Sequence, residues 1–498
     1  MKPTMTAVAP TPSTLAVVDM GSNSFRLEIG RVEGGQIFRL DTWRETLHVG
    51  AYLDSRSRIT AEGRRRALAS LARFAERLRG LHPSAVRVLA THTFRVASNA
   101  QEFLERAERT LGFPIDVITG QEEARLIYAG VRAVLPASSE RRLIIDIGGG
   151  STEFIVGHSH HPDRLASLPI GCVNMSRRFF PKGRLSASAF LAAETAARAE
   201  VEEIGAEFGR NAFDIAYASS GTALALAEIL EANGLSAAGI TPDGLARLRK
   251  RMIAAGDVGR LRLAALKPER APVLAGGLAI MTAALAELRV PRVNPVGGAL
   301  RLGALYDLLG RTEHHDARSA TIEQFLNRYQ VDREHASRVA AMAVDLHRRA
   351  VSRPHPVAVQ RLGWAALLHE IGISVSHTGF HKHGAYILQH ADMPGFSAGE
   401  QQTLSNLVLG CRGGLGKMGA ILDDAAFRAM LLALRLAVVF HHGRRPIKPP
   451  RIAIEAGDAL HFAAPRRWLK AHPLSDLLLA RERAEWTVAG HPWRSAPR

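Results

Sequence analysis

Short apolar runs recur through the first three hundred residues, and most are closed by a turn that contains glycine. Positions 15–18, 25–32 and 36–40 read as three strands of this kind. Residues 61–79 carry the three-to-four-residue apolar spacing of a helix, 86–90 return to a strand, and 99–111 to a helix. A strand at 115–118 precedes a helix over 122–134, and strands at 143–147, 153–157 and 165–168 follow. An alanine-rich stretch over about 186–208 predicts one long helix, 215–218 a strand, and position 222 opens another helix. The pattern is that of an α/β chain with antiparallel hairpins at defined places. Beyond about residue 313 strand signals become rare and helical periodicity dominates; 15 of the 21 histidines lie there.

One unit of this pattern occurs twice. AVVDMGSNS (16–24) is echoed by LIIDIGGGS (143–151), and with Asp19 set on Asp146 the copies align without a gap through Gly30 and Gly157. Each copy is an apolar strand, an aspartate, a Gly-rich turn and a second strand. The duplication predicts two related lobes facing each other across a cleft. The expected organisation is a disordered leader at 1–13, lobe I at 14–135, lobe II at 136–312 and an all-α domain at 313–498.

Composition narrows the functional classes. Hydrophobic residues at 47% and charged residues at 22% exclude global disorder. No apolar run reaches the roughly 20 residues of a membrane helix, so no membrane insertion is expected; the nearest run, 429–440, contains Arg435. The first 13 residues lack the apolar segment of a signal peptide. Two cysteines, Cys172 and Cys411, fit a reducing cytoplasm rather than a disulfide framework. The 64 basic against 47 acidic side chains give a net charge of +17, which favours polyanionic partners.

The repeated turns are suited to phosphate. Gly148, Gly149 and Gly150 let backbone amides approach an anion, and successive amides make a concave nest. Ser22, Asn23, Ser24, Ser151 and Thr152 add side-chain donors. Asp19 and Asp146 end their strands beside these turns, and Glu153 leaves the second one. Hard oxygen ligands beside phosphate suit Mg²⁺.

The chain resembles the exopolyphosphatase and guanosine pentaphosphate phosphatase family, a branch of the superfamily that includes actin, sugar kinases and heat-shock chaperones. The resemblance rests on VDMGSNSFRL (18–27), ATHTFRVASN (90–99), GQEEARLIY (120–128), IDIGGGSTE (145–153), PIGCVN (169–174), SSGT (219–222) and NPVGGA (294–299), in that order. It implies two actin-like, ribonuclease H-like lobes around a phosphate-binding cleft. Phe94 stands where a small or aliphatic residue is common, with little effect expected.

The resemblance implies that Glu123, the glutamate immediately before the Ala-Arg pair, is the catalytic residue, the expected water-positioning base. Its neighbour Glu122 would point about 100° away on a helix, capping the N-terminus or facing solvent. Arg95 supplies a guanidinium fork for terminal phosphate oxygens. Asp146 and Glu153 are assigned to Mg²⁺ by both charge and resemblance; Asp19 either reaches the ion through water or anchors its turn. The expected reaction is release of orthophosphate from the end of inorganic polyphosphate. Guanosine pentaphosphate or tetraphosphate is an alternative ligand of the same site, and a non-catalytic nucleotide- or polyphosphate-binding regulator a further reading. A kinase would need an adenosine pocket, for which Ser219, Ser220, Gly221, Thr222, Gly276 and Gly277 are the candidates.

In the last part of the chain, LGWAALLHEIGI (362–373) resembles the His-Asp phosphohydrolase superfamily, with Glu370 in place of its metal-binding aspartate. His335, His377, His381 and His383 flank it, but the altered doublet and Cys411-Arg412 argue against a catalytic metal. The run 369–396 resembles the C-terminal domain of long exopolyphosphatases, which implies a part in gripping the polymer and in homodimer formation. Basic residues at 444–451 and at Arg466, Arg467 and Lys470 fit a polyanion.

Overall fold

The computed structural model describes residues 13–136, 138–159, 161–237, 239–312, 316–445, 450, 452–456 and 460–495; all but the last residue of the expected leader lies outside them. The chain divides into two compact units, one ending at Ala317 and the other starting at Arg318.

The first unit holds two five-stranded sheets of matching topology. In lobe I, β1 (Thr14–Met20), β2 (Ser24–Glu33) and β3 (Gln36–Thr46) form an antiparallel meander, and β4 (Val86–Ala90) and β5 (Ile115–Val117) add in parallel beside β1. Lobe II repeats the plan. There β6 (Arg142–Ile147), β7 (Thr152–His158) and β8 (His161–Leu168) make the meander, and β9 (Ile215–Ser219) and β10 (Asn294–Pro295) add beside β6. The repeat visible in the strand–turn–strand motif therefore extends to the whole sheet. These are actin-like lobes.

Helices α1 (Ala61–Leu78), α2 (His92–Val96), α3 (Ala100–Leu111) and α4 (Gly120–Val134) belong to lobe I. Lobe II adds α5 (Cys172–Phe179), α6 (Ala187–Glu202), α7 (Gly205–Phe208), α8 (Ser220–Ala232), α9 (Pro242–Ala255) and α10 (Ala271–Glu287). The single helix expected over about 186–208 is broken after Glu202, and α7 restarts at Gly205, a poor interior helix residue. The last helix of the 136–312 segment, α11 (Leu300–Thr312), packs against α4 and β1 of lobe I. The α4–α11 crossing is backbone on backbone: a Cβ on Gly303 would stand 1.8 Å from the Leu126 carbonyl oxygen, and one on Gly130 2.2 Å from that of Ala299. Only glycine admits this approach.

The second unit contains α12 (Ala317–Arg328), α13 (Arg333–Ala350), α14 (Pro356–Leu367), α15 (Phe380–His390), α16 (Ala398–Gly410), α17 (Ala425–Phe440), α18 (Arg466–Ala471) and α19 (Pro473–Val488). It is not purely helical: β11 (Ala453–Ala456), β12 (Leu460–Ala463) and β13 (Trp493–Ser495) form a small sheet. The apolar run at 429–440 lies in α17, buried among the other helices of the unit. Its Arg435 is satisfied by two bonds to Glu482, at 2.6 and 2.7 Å, and one to the Gly410 carbonyl at 2.6 Å. Among the described residues no helix is long and apolar enough to cross a membrane.

Candidate active site

The two repeated turns face each other at contact distance. A Cβ on Gly149 would lie 3.0 Å from Ser22 Cβ and 3.1 Å from the Asn23 amide nitrogen, and one on Gly150 would overlap the His92 ring at 2.3 Å. The second turn is held from below by the start of α5. Cys172 N donates to the Gly148 carbonyl and Val173 N to that of Gly149, each at 2.9 Å, and Asn174 Nδ2 donates to the Gly150 carbonyl at 3.0 Å. The first turn is fixed by Gly50 N on the Ser22 carbonyl at 2.9 Å and by Thr93 Oγ1 on Ser22 Oγ at 2.8 Å.

A polar cleft opens over these turns. Its lining includes Ser22, Asn23, Ser24, Gly148, Gly149, Gly150 and Ser151, together with Asp19, Asp146 and Glu123. Arg95 and Glu153 are not part of that lining; Arg95 reaches it through Glu123, and Glu153 is held by Ser167. Arg95 Nη1 donates to Glu123 Oε2 at 2.9 Å, and Ser167 Oγ donates to Glu153 Oε1 at 2.9 Å. The fork expected to meet phosphate is thus turned, in this structure, toward the expected base.

Strand register explains the carboxylates. Asp146 on β6 lies directly opposite Glu153 on β7, so both project on one face. Ser219, its neighbour on β9, donates to Asp146 Oδ2. In lobe I the equivalent partner of Asp19 is Arg26, because β1 and β2 carry the same register. The pseudo-symmetric positions are therefore charge-inverted. Asp19 has Arg26 opposite and Arg301 Nη1 at 3.7 Å, whereas Asp146 faces another acid.

Burial dominates the protonation of this group. It raises Asp146 to about 6, with the Ser219 hydrogen bond opposing. It raises Glu123 to about 7 against the pull of Arg95. Glu153 is pushed well above the usual carboxylate range by burial, then by the charges of Glu123 and Asp146. Asp19 is also raised by burial, with Arg301 and Arg26 opposing. Glu153 Oε2 is buried and has no hydrogen-bond partner, as is Asn23 Oδ1.

An orphaned carboxylate oxygen, opposite a second carboxylate and beside a Gly/Ser turn, is a donor set that fits a hard divalent cation. The cleft carboxylates do not converge tightly on one point. Among the described residues, the group of three or more ligand atoms lying within 4.8 Å of one another is instead His335, His369 and Glu370 of the second unit. There Arg444 Nη2 already contacts Glu370 Oε2 at 2.5 Å, so a guanidinium neutralises the carboxylate.

Glu122 is corrected by the structure. It neither faces solvent nor merely caps α4: it is fully buried. Arg125 grips it at 2.7 and 2.9 Å, and Arg87 of β4 lies at 3.4 Å. The reason is that the first turn of α4 is covered on its far side by α11, which sequence order does not reveal. The helix cap is Thr119, whose Oγ1 accepts from Glu122 N at 3.1 Å. Of the candidates for an adenosine pocket, Ser220, Gly221 and Thr222 line the cleft. Gly276 and Gly277 are packed under α5 and α8, where a Cβ would meet the Cys172 carbonyl at 2.6 Å and Thr222 Cγ2 at 2.4 Å.

Three arginines of the cleft, Arg26, Arg270 and Arg301, escaped the sequence reading. Arg26 could have been found by carrying the repeat alignment onto Glu153. Arg270 and Arg301 lie outside the repeated hairpins, and only the fold brings them in. Burial and the neighbouring Arg301 lower Arg26 to about 10, which marks a concentration of positive charge. Phe94 points away from the cleft into the lobe I core, against Phe25 and Phe103. In the second unit Arg466, Arg467 and Lys470 are exposed on α18, while 446–449 and 451 lie outside the described residues.

Two actin-like lobes closing on paired phosphate-type turns, with buried acids and convergent arginines, define a phosphoryl-handling protein. The chain belongs to the Ppx/GppA phosphatase family, which residues 29–312 match, and residues 317–483 match domain III of that family. Solved structures show the same fold at low identity. The exopolyphosphatase of Cytophaga hutchinsonii is 24% identical with a TM-score of 0.54, over 60% of this chain and 98% of its own. An exopolyphosphatase-like protein is 23% identical with a TM-score of 0.53, over 59% of this chain and 97% of its own.

Proposed function

We propose that the protein is a Mg²⁺-dependent exopolyphosphatase that hydrolyses the terminal phosphoanhydride bond of inorganic polyphosphate. The observation that carries this reading is the Arg95–Glu123 pair beside two opposed phosphate nests. A terminal phosphoryl group would sit between the two Gly/Ser turns, its oxygens on their amides and hydroxyls. Glu123 would take a proton from a water aimed at the terminal phosphorus. The new P–O bond forms as the bridging P–O bond breaks, and the shortened chain leaves on its own oxygen. Arg95 balances charge at the reacting group, and Arg26, Arg270 and Arg301 meet the following phosphates. Asp146 and Glu153 would hold the Mg²⁺, which supplies charge neutralisation at phosphate oxygens when bound. The charge inversion between the lobes supports lobe II as the cation side.

Two buried, unpaired cysteines fit a cytoplasmic setting. The second unit would hold the distal polymer through exposed bases such as those of α18, and would contribute to a homodimer. The test is phosphate release from long-chain polyphosphate and from guanosine pentaphosphate, at equal enzyme with Mg²⁺. Polyphosphate is expected to be the faster substrate. A faster pentaphosphate reaction would assign the site to the nucleotide, and release from neither would leave a binding protein.

A further inference from the structure

The acid next to the expected base belongs to a buried ion-pair network. Glu122, Asp307 and Asp116 meet Arg87, Arg125 and Arg311. Arg87 Nη1 lies 2.7 Å from Asp307, Arg125 Nη2 2.5 Å from the same carboxylate, and Arg311 Nε 2.9 Å. Arg87 also reaches Asp116 at 3.5 Å. Side chains of Glu122, Arg87 and Asp307 are 0%, 3% and 4% exposed, so the pairs are removed from water. Among the described residues these contacts join three acids and three guanidiniums.

These six residues tie together the elements that carry the chemistry. Arg87 lies on β4, which runs into the α2 turn bearing Arg95. Glu122 and Arg125 are on α4 beside Glu123, and Asp307 and Arg311 are on α11, whose start bears Arg301. Buried ion networks of this kind contribute little net stability compared with apolar packing of the same volume. Their directional bonds do fix one relative placement of the elements they join.

From this geometry we infer that Glu122 and Asp307 are positioning residues, which set Glu123 against Arg95 through their shared partners Arg87 and Arg125. The inference rests on the phosphatase reading for its kinetic readout and on geometry for its structural one. Neither residue touches substrate. Removing one carboxylate leaves the buried guanidiniums sharing fewer acids and frees the first turn of α4 to shift.

The test compares full-length wild type, Glu122→Gln, Asp307→Asn and the charge-balanced pair Glu122→Gln/Arg125→Gln. The probe is long-chain polyphosphate with Mg²⁺, and crystal structures of each variant report the Arg95–Glu123 contact. Both single variants are expected to lower kcat about tenfold or more with KM within about threefold, and to lengthen the 2.9 Å contact. The balanced pair is expected to recover most of kcat and the contact. Wild-type kcat with an unchanged contact in Glu122→Gln overturns the inference. So does equal loss in the single and balanced variants, or failure of all three to fold, either of which makes the network purely structural. If wild type itself releases no phosphate, the substrate reading fails, and the crystallographic contact alone decides the positioning role.

Discussion

Arg95 Nη1 donates at 2.9 Å both to Glu123 Oε2 and to the carbonyl of Ile118, the residue that leads into α4. One guanidinium thus binds the carboxylate of the expected base and the backbone that delivers it. Arg95 belongs to a short helix after β4, and Glu123 to the first turn of α4 after β5, so two parallel crossovers of lobe I meet in this pair. A base held by a cation has a defined direction but a weakened affinity for its proton. Burial compensates, lifting Glu123 to about 7 despite Arg95.

Removing the acceptor charge tests the base directly. Glu123→Gln is expected to lower kcat by about 10²–10⁴ while polyphosphate still binds. In wild type, activity should rise with pH as Glu123 ionises, since the base acts deprotonated. That limb lies at or below about 7 and moves to lower pH as Mg²⁺ is raised, because a nearby cation favours the carboxylate. A pH–rate profile flat from pH 5 to 8 in wild type, or unchanged turnover in the variant, would remove Glu123 from the mechanism.

Arg95→Gln should act with a different signature. It deletes a charge that holds Glu123 down, so the limb must move to higher pH. It also deletes a partner for the phosphoryl group, which should reduce kcat/KM by about tenfold or more. Lysine at this position keeps the charge and loses the fork, and is expected to recover the limb but not the full rate. A limb that stays in place in Arg95→Gln would show that the pair does not persist in solution.

Much of this arrangement was legible in the chain. The Asp19–Asp146 repeat announced two lobes and two opposed Gly/Ser turns, because short-range turn chemistry is written in adjacent residues. The sequence placed Glu153 on the strand that leaves the second turn, and the sheet register sets it directly opposite Asp146. Long-range partners were not legible. Glu122 looked like a solvent-facing cap because nothing local shows that α11 returns across α4 to bury it. Arg301 reaches the cleft through that same packing, and Arg270 through the start of α10 in lobe II. The small sheet of the second unit was missed because its strands are short, two of four residues and one of three.

The α4–α11 crossing supplies a stability test. Gly303→Ala places a methyl 1.8 Å from the Leu126 carbonyl oxygen and 2.9 Å from Gly130 N, both backbone atoms that cannot rotate away. The expected cost is about 1–3 kcal/mol or more from overpacking. Gly297→Ala, where nothing lies within 4 Å, is the control and should melt close to wild type. Denaturant titration of both variants decides. Equal midpoints would mean that the helices separate more easily than this contact allows.

Charge reversal on α18 probes the polymer-holding role of the second unit. Arg466→Glu/Arg467→Glu/Lys470→Glu alters exposed positions only, so folding should be kept. If these bases hold distal phosphates, KM for long chains rises and its salt dependence flattens, while short chains are unaffected. KM measured against chain length at two salt concentrations reads both effects. An unchanged long-chain KM would assign α18 to solvent.

Mg²⁺ binding should appear as a pH-dependent stabilisation. Asp146 and Glu153 have folded-state proton affinities above those of an unfolded carboxylate, so the folded protein binds more protons between about pH 4 and Asp146's value of about 6. With more protons bound in the folded state, stability falls as pH rises through that window. The contribution is complete below the unfolded value and is lost as pH passes the folded one. Above about pH 6 Asp146 ionises in a buried position facing a second acid, and a divalent cation relieves that state. At pH 5 protons compete with it. Mg²⁺ at about a hundredfold excess over Kd would stabilise by about 2.7 kcal/mol. The shift in Tm on adding Mg²⁺ should therefore be large at pH 8 and small at pH 5. Asp146→Asn, neutral and nearly isosteric, should flatten the metal-free pH dependence, lose most of the Mg²⁺ shift, and lose Mg²⁺-dependent turnover; Glu153→Gln should do the same. An equal Mg²⁺ shift at both pH values, or wild-type Mg²⁺ titrations in both variants, would move the cation to other ligands in the cleft, with Asp19 the next acid to test.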